Sequence, residues 1–116
     1  MGTGWAARMK RGDVVLIRQP GTPSSKPRPC VVVQRDVSLA GAMKVTVCPL
    51  TTQLRGVEAQ RPFVAPDAGN GLRRPSEVQV DWLYTHPIGF LSAPIGSIDQ
   101  ATMREVDRAL SRWLDL

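Results

Sequence analysis

The chain has one histidine, His86, two cysteines, Cys30 and Cys48, and among its aromatics only three Trp, two Phe and one Tyr. One imidazole and two thiols cannot between them supply the four ligands of a structural zinc site. No metal site and no cofactor are therefore expected. Both cysteines fall in strand-like runs, where a reduced thiol serves as a small core residue, and this reading is preferred to a disulfide or a nucleophile. A Cys48–His86 couple is an alternative, although a lone histidine beside Pro87 reads more naturally as a turn residue. Long apolar runs are also missing. The longest, residues 14–17 and 30–33, fall far below the roughly 18 residues that a membrane span needs, so no membrane association is expected. The opening MGTGWAARMKRG lacks an apolar stretch after its basic residues and does not read as a secretory signal, so the expected location is the cytoplasm.

What is present fits one domain. The 116 residues, 42% of them hydrophobic, suffice for one core and are too few for two ordinary domains. The net charge of +5 is unevenly spread. Residues 1–75 carry twelve Lys and Arg against four Asp and Glu, a balance of +8, whereas residues 76–116 carry three against six, a balance of −3. A basic front suggests a polyanion such as nucleic acid, or an acidic protein competing for the same face.

Residues 13–19 (DVVLIRQ) and 29–35 (PCVVVQR) are β-branched runs bounded by Gly and Pro, and residues 44–49 (KVTVCP) alternate with period two, which predicts three strands. QPGTPSSKP, residues 19–27, predicts a mobile surface loop. A short RPFVA segment at 61–65 and a second loop, PDAGNGLRRP at 66–75, follow. SEVQVDWL at 76–83 predicts a half-buried strand with Val78, Val80 and Trp82 on its inner face and Glu77, Gln79 and Asp81 on its outer face. From Asp99 the period changes. Met103, Val106, Leu110 and Trp113 recur at three and four, predicting one amphipathic helix whose stripe covers the sheet. Its start is either Asp99 as N-cap or Ser97 with Gln100 as a capping box. These pieces predict a mainly β fold, a small bent antiparallel sheet or barrel with a C-terminal helix.

Within KPRPCVVVQRD, residues 26–36, a fixed charge precedes a buried strand. Pro29 drives Arg28 into an extended conformation and Pro27 fixes the backbone before it, so the guanidinium is held stiffly where the strand begins.

In order, KRGDVVLI (10–17), KPRPCVVVQRD (26–36), VTVCPLTTQ (45–53), SEVQVDWLYT (76–85) and IGSIDQATMREVDRALSRWLDL (95–116) resemble a MazF/PemK-type toxin of bacterial toxin–antitoxin systems. Each motif is short, and their joint order and spacing carry the likeness. The likeness runs from Met9 to the end, so residues 1–8 read either as an N-terminal extension to a single domain spanning 1–116 or as the product of a misplaced start codon. The resemblance implies an SH3-like barrel and a homodimer, a metal-independent endoribonuclease acting on short single-stranded RNA sequences, and a cognate antitoxin as protein partner. It also implies that Arg28, from the "RP" motif, and Thr51, from "P-L-T", are the catalytic pair. The chain departs from the family pattern at GTPSSK, residues 21–26, and at WLYT, residues 82–85. Tyr84 there is either a base-stacking residue or a core or interface residue.

The chemistry of these side chains is consistent with that assignment. Cleavage of RNA through its own 2′-hydroxyl passes through a phosphorane with extra negative charge, which a preorganised guanidinium stabilises. A threonine hydroxyl can donate to a phosphate oxygen. Arg28 is then an electrostatic stabiliser and candidate proton donor, and the base is left open because arginine is a poor one. Lys26, Gln53 and Arg55 are candidates for contacting the RNA backbone or bases. Two alternatives compete: a CcdB-like gyrase poison that binds through its C-terminal helix, suggested by Trp113, and a non-catalytic nucleic-acid-binding barrel.

Overall fold

The computed structural model describes residues 4–18, 26–36 and 39–116. The loop expected at 19–27 lies largely outside them. Alternation along the strands builds two cores, one on each face of a single sheet. In β1 (Asp13–Ile17) Val14 points to one face while Val15 and Ile17 point to the other, and all three are buried. β2 (Arg28–Val32) divides likewise, with Val31 on the first face and Cys30 and Val32 on the second. Burial on both sides explains why these runs are solidly β-branched.

The longest strand, β3 (Lys44–Thr51), organises the rest. One edge pairs with β2. The other edge is shared between β5 (Ser76–Val78), which meets Leu50 and Thr51, and β6 (Tyr84–Pro87), which meets residues 44–47. Two separate strands on one edge require the sheet to curl. Including β4 (Phe63–Val64) and β7 (Gly96–Ser97), the order is β4-β5-β3-β2-β1-β7, with β6 beside β3. Every pairing is antiparallel.

Helix α1 (Gln100–Leu114) closes the first face, burying Met103, Val106 and Ala109 against Val14, Cys48, Leu50 and Val78. Asp99 is its N-cap and accepts the Thr102 N–H at 2.7 Å, which decides between the two predicted starts. The second face is sealed by Met9, Leu39 and Leu91, with Trp5 packed at its edge. An ion pair of 2.7 Å between Arg11 and Asp107 ties the start of β1 to the helix. No helix among the described residues is long and apolar enough to cross a membrane.

Both cysteines are free and buried, as expected. Burial pushes the Cys30 thiol up to about 11 and that of Cys48 up to about 12. The Tyr84 hydroxyl lies 3.5 Å from the Cys30 Sγ.

Several expectations need correction. The strand predicted over 76–83 stops at Val78, and a 3-10 turn (Val80–Trp82) follows. That turn breaks the period of two, so Val80 is buried while Trp82 swings out to 63% exposure. Glu77, placed on the outer face by alternation, is only 1% exposed because its carboxylate is enclosed by backbone donors. His86 is not a turn residue but lies in β6 opposite Val45, its ring edge-on to Tyr84 at 4.3 Å. Trp113 does not join the stripe. It sits near the end of α1, beside the 55–61 segment, and is 59% exposed.

Candidate active site

The β2–β3 ladder pairs Cys30 with Pro49 and Val31 with Cys48. Continuing this register by two residues sets Arg28 level with Thr51. Cross-strand partners project from the same face, so the two side chains leave the sheet together where the ladder ends. They line one hollow of about 440 Å³ with Pro29, Pro49, Thr52, Gln53, Ser76 and Gln79.

Local chemistry fixes each member. Arg28 is exposed, and among the described residues its side chain makes no hydrogen bond or ion pair. Its carbonyl accepts the Cys30 thiol at 3.7 Å, and that thiol also meets Tyr84, so the backbone carrying the guanidinium is tied down from the core side. Tyr84 therefore belongs to the packing behind Arg28, against the second core. Thr51 Oγ1 accepts the Gln53 N–H at 3.1 Å. With an acceptor site used locally, the hydroxyl proton is left to donate outward. Glu77, the β5 partner of Thr51, keeps its carboxylate away from the hollow. Its oxygens accept the Arg55 N–H at 3.1 Å and the Gly56 N–H at 3.0 Å, holding the chain that leaves β3.

Among the described residues no imidazole or carboxylate lines this hollow. His86 pairs with Val45, six residues back along β3 from Thr51, which at the usual strand rise is about 20 Å away. Among the described residues no group of three or more His, Cys, Asp or Glu is arranged to hold a metal ion. The hollow therefore offers a cation and several hydroxyl and amide groups, a set suited to binding a phosphate and stabilising added charge on it.

Of the predicted site residues, Arg28, Thr51 and Gln53 come together here. Lys26 lines an adjoining hollow of about 640 Å³. Arg55 is not in either. Its amide is held by Glu77, and its side chain turns to a cavity of about 330 Å³ under the end of α1, with Val57, Arg61, Asp81, Arg112 and Trp113. Thr52, Ser76 and Gln79 also line the Arg28–Thr51 hollow. Thr52 sits beside the "P-L-T" motif, but nothing local marks Ser76 or Gln79, which arrive through the β3–β5 pairing.

Residues 10–114 match the PemK-like, MazF-like toxins of type II toxin-antitoxin systems. The chain is 32% identical over 108 residues to the probable endoribonuclease MazF of Mycolicibacterium smegmatis, covering 93% of this chain and 98% of that protein. It is 34% identical over 91 residues to endoribonuclease MazF3 of Mycobacterium tuberculosis, covering 78% and 85%. Among solved structures, Mycobacterium tuberculosis toxin MazF-mt6 aligns at 30% identity with a TM-score of 0.76, covering 90% of this chain and 97% of that one. The curled antiparallel sheet with its C-terminal helix is the fold of these toxins, and the gyrase-poison alternative is not favoured. The resemblance carried by the motifs is borne out across nearly the whole chain, which belongs to the PemK-like, MazF-like toxin family of type II toxin-antitoxin systems.

Proposed function

We propose that this toxin is an endoribonuclease that cuts single-stranded RNA at a few short sequences, with Arg28 and Thr51 as its catalytic residues and no metal in the chemical step. The 2′-hydroxyl of the nucleotide before the scissile bond attacks phosphorus in line and gives its proton to solvent, while the bond to the 5′-oxygen breaks and that oxygen takes up a proton from solvent. The products are a 2′,3′-cyclic phosphate and a 5′-hydroxyl. Arg28 directs its forked donors at the equatorial oxygens, where charge builds only in the transition state. Thr51 donates its hydroxyl to one of the same oxygens and holds the phosphate in register. Gln53, two residues further along the chain, contacts the substrate.

The observation that carries this reading is that Arg28 and Thr51, each two residues beyond the last β2–β3 pair, line one hollow, while the guanidinium has no protein partner among the described residues. A cation that stabilises the fold is normally paired, so one held stiffly and unpaired beside hydroxyls suits an anionic ligand. The relatives named as endoribonucleases support the activity. The toxin acts as a homodimer in the cytoplasm, and its partner is a cognate antitoxin, as its family membership suggests.

The test is incubation of the purified protein with a long RNA in EDTA. Cleavage at few sites, leaving 2′,3′-cyclic phosphate ends, is expected, and Arg28→Ala should abolish nearly all of it. RNA left intact by the folded wild type, or cut equally well by Arg28→Ala, would overturn the assignment.

A further inference from the structure

The hollow that holds Lys26 adjoins the Arg28–Thr51 hollow, and Pro29, Thr52 and Ser76 belong to the walls of both. Among the described residues its remaining charges are Arg73 and Arg74, and no carboxylate lines it. Both arginines are exposed, and both come from PDAGNGLRRP, the segment that reads from sequence only as a loop.

That segment is built rather than loose. Asn70, 2% exposed, donates from Nδ2 to the Ala65 carbonyl at 2.9 Å and accepts at Oδ1 from the N–H groups of Asp67 and Leu72. Asp67 Oδ1 accepts in turn from Gly69 and Asn70, at 2.8 Å each. The loop is then fastened to β7, where the Ser97 N–H donates to the Gly69 carbonyl at 2.8 Å. Contact is so close that a Cβ on Gly96 would collide with the Asn70 backbone, and one on Gly71 would lie 2.6 Å from the Ile95 carbonyl. Past this anchor, Ser76 Oγ donates to the Arg74 carbonyl at 3.0 Å, tying the arginine pair to a residue of the shared wall. Holding two like charges side by side on a fixed loop has an electrostatic cost, and a polyanion relieves it.

We infer that Arg73 and Arg74, with Lys26, form a phosphate-binding shelf that holds the RNA strand on one side of the scissile bond. The inference rests on the ribonuclease reading and extends it to where the substrate lies. A strand whose reacting phosphate sits at Arg28 crosses the wall formed by Pro29, Thr52 and Ser76 and lays its next phosphates on the shelf. These three cations set affinity and register and do not touch the reacting atoms.

The experiment uses the double variant Arg73→Ala with Arg74→Ala in the full chain, and a cleavable RNA alongside the same RNA carrying a 2′-deoxy nucleotide at the cut. Each contact on single-stranded RNA contributes about 0.7 to the slope of log affinity against log salt, so the slope should fall by about 1.4 and affinity near 0.15 M salt by on the order of tenfold. KM for the cleavable RNA should rise comparably while kcat stays within about twofold, since the lost contacts exist equally in ground and transition states. Trimming the RNA on one flank, and not on the other, should abolish the difference between variant and wild type. Arg73→Lys with Arg74→Lys should retain the slope. The circular-dichroism melt should be unchanged, because both side chains are exposed. An unchanged slope and KM in the Ala variant would overturn the shelf, and so would a loss confined to antitoxin binding. If wild type binds the deoxy RNA with the expected Arg73- and Arg74-dependent slope but leaves the cleavable RNA intact, the shelf stands and the catalytic reading falls. If it cuts RNA with no dependence on these arginines, the reverse holds.

Discussion

Arginines line both the hollow at the end of the β2–β3 ladder and the cavity under the end of α1, but in opposite states. Under the helix, Arg61 is buried to 6% side-chain exposure and donates from Nε and Nη2 to the two carboxylate oxygens of Asp81, at 3.1 and 2.9 Å. Nearby, Arg112 caps the Ala59 carbonyl at 2.7 Å. These guanidiniums hold the 54–61 segment against the 3-10 turn and the helix. At the ladder end, Arg28 has no such engagement among the described residues. Desolvating a charge without a partner is costly, so the chain buries arginine where a carboxylate waits and leaves it in water where one does not. An arginine's partners, rather than its presence in a cavity, distinguish a structural cation from one available to a ligand.

Breaking the ladder end should have the largest effect. Arg28→Ala is expected to lower turnover by on the order of 100-fold or more, the usual consequence of removing one preorganised donor. Its unfolding midpoint in urea should move little, since exposed positions of this kind cost within about 0.5 kcal/mol. Arg28→Lys should stay badly impaired, because an ammonium cannot present two parallel donors. Turnover and urea melts on the same preparations check both halves.

The helix end should respond the other way round. Arg61→Ala removes a buried guanidinium and leaves Asp81, 26% exposed on its side chain, without its partner. The penalty of about 3–5 kcal/mol for breaking a fully buried pair is discounted here to roughly 2 kcal/mol, about 30-fold in the folding equilibrium, because Asp81 retains water. Urea unfolding measures the loss, while RNA cleavage per folded molecule should be unaltered. A turnover loss in Arg61→Ala matching that of Arg28→Ala would erase the distinction between the two sites.

Thr51→Ala should cost less than either, roughly tenfold in turnover, since it removes one neutral hydroxyl hydrogen bond worth about 1.4 kcal/mol to a charged acceptor. Single-turnover cleavage separates this from any change in RNA binding.

The smallest effect is a pH dependence. The hydrogen bond from Arg61 holds the Asp81 carboxyl below the ordinary carboxylate range. A carboxyl lowered on folding contributes stability that is fully present above its unfolded value of about 3.9 and lost as pH falls through the lower folded one. Wild type should therefore exceed Asp81→Asn in stability from neutral pH down to about 4 and converge with it in stronger acid. Urea melts between pH 3 and 7 would show this, and curves that run parallel throughout would contradict it.

Much of this contrast was legible in the residues. Runs of valine marked β1 and β2, and the period of three and four marked α1, because those patterns follow directly from burial on both faces or on one stripe. Pro27 and Pro29 identified a stiffened arginine, and the resemblance supplied Thr51 as its companion. The failures occur where the pattern is interrupted. A 3-10 turn after Val78 undoes the alternation that would have buried Trp82, and Tyr84–Pro87 ends in a proline that disguises a strand. Glu77 reads as a surface carboxylate because its partners, the Arg55 and Gly56 amides, lie over twenty residues away in sequence. Arg55 follows "P-L-T-T" closely enough to suggest the substrate hollow, yet the turn that Glu77 imposes sends its side chain elsewhere. Local sequence encodes periodicity, whereas the grouping of loop residues depends on pairings between distant strands.

The distribution of the indole rings has a practical consequence. Trp82 and Trp113 are mostly exposed, and Trp5 is only partly covered at the rim of the second core. None is among the side chains that α1 and the central strands enclose, where valine predominates. Intrinsic fluorescence of this toxin is consequently a reporter of its periphery. Emission should shift when something docks beside the end of α1 or the 3-10 turn, and should change only modestly when the sheet itself melts.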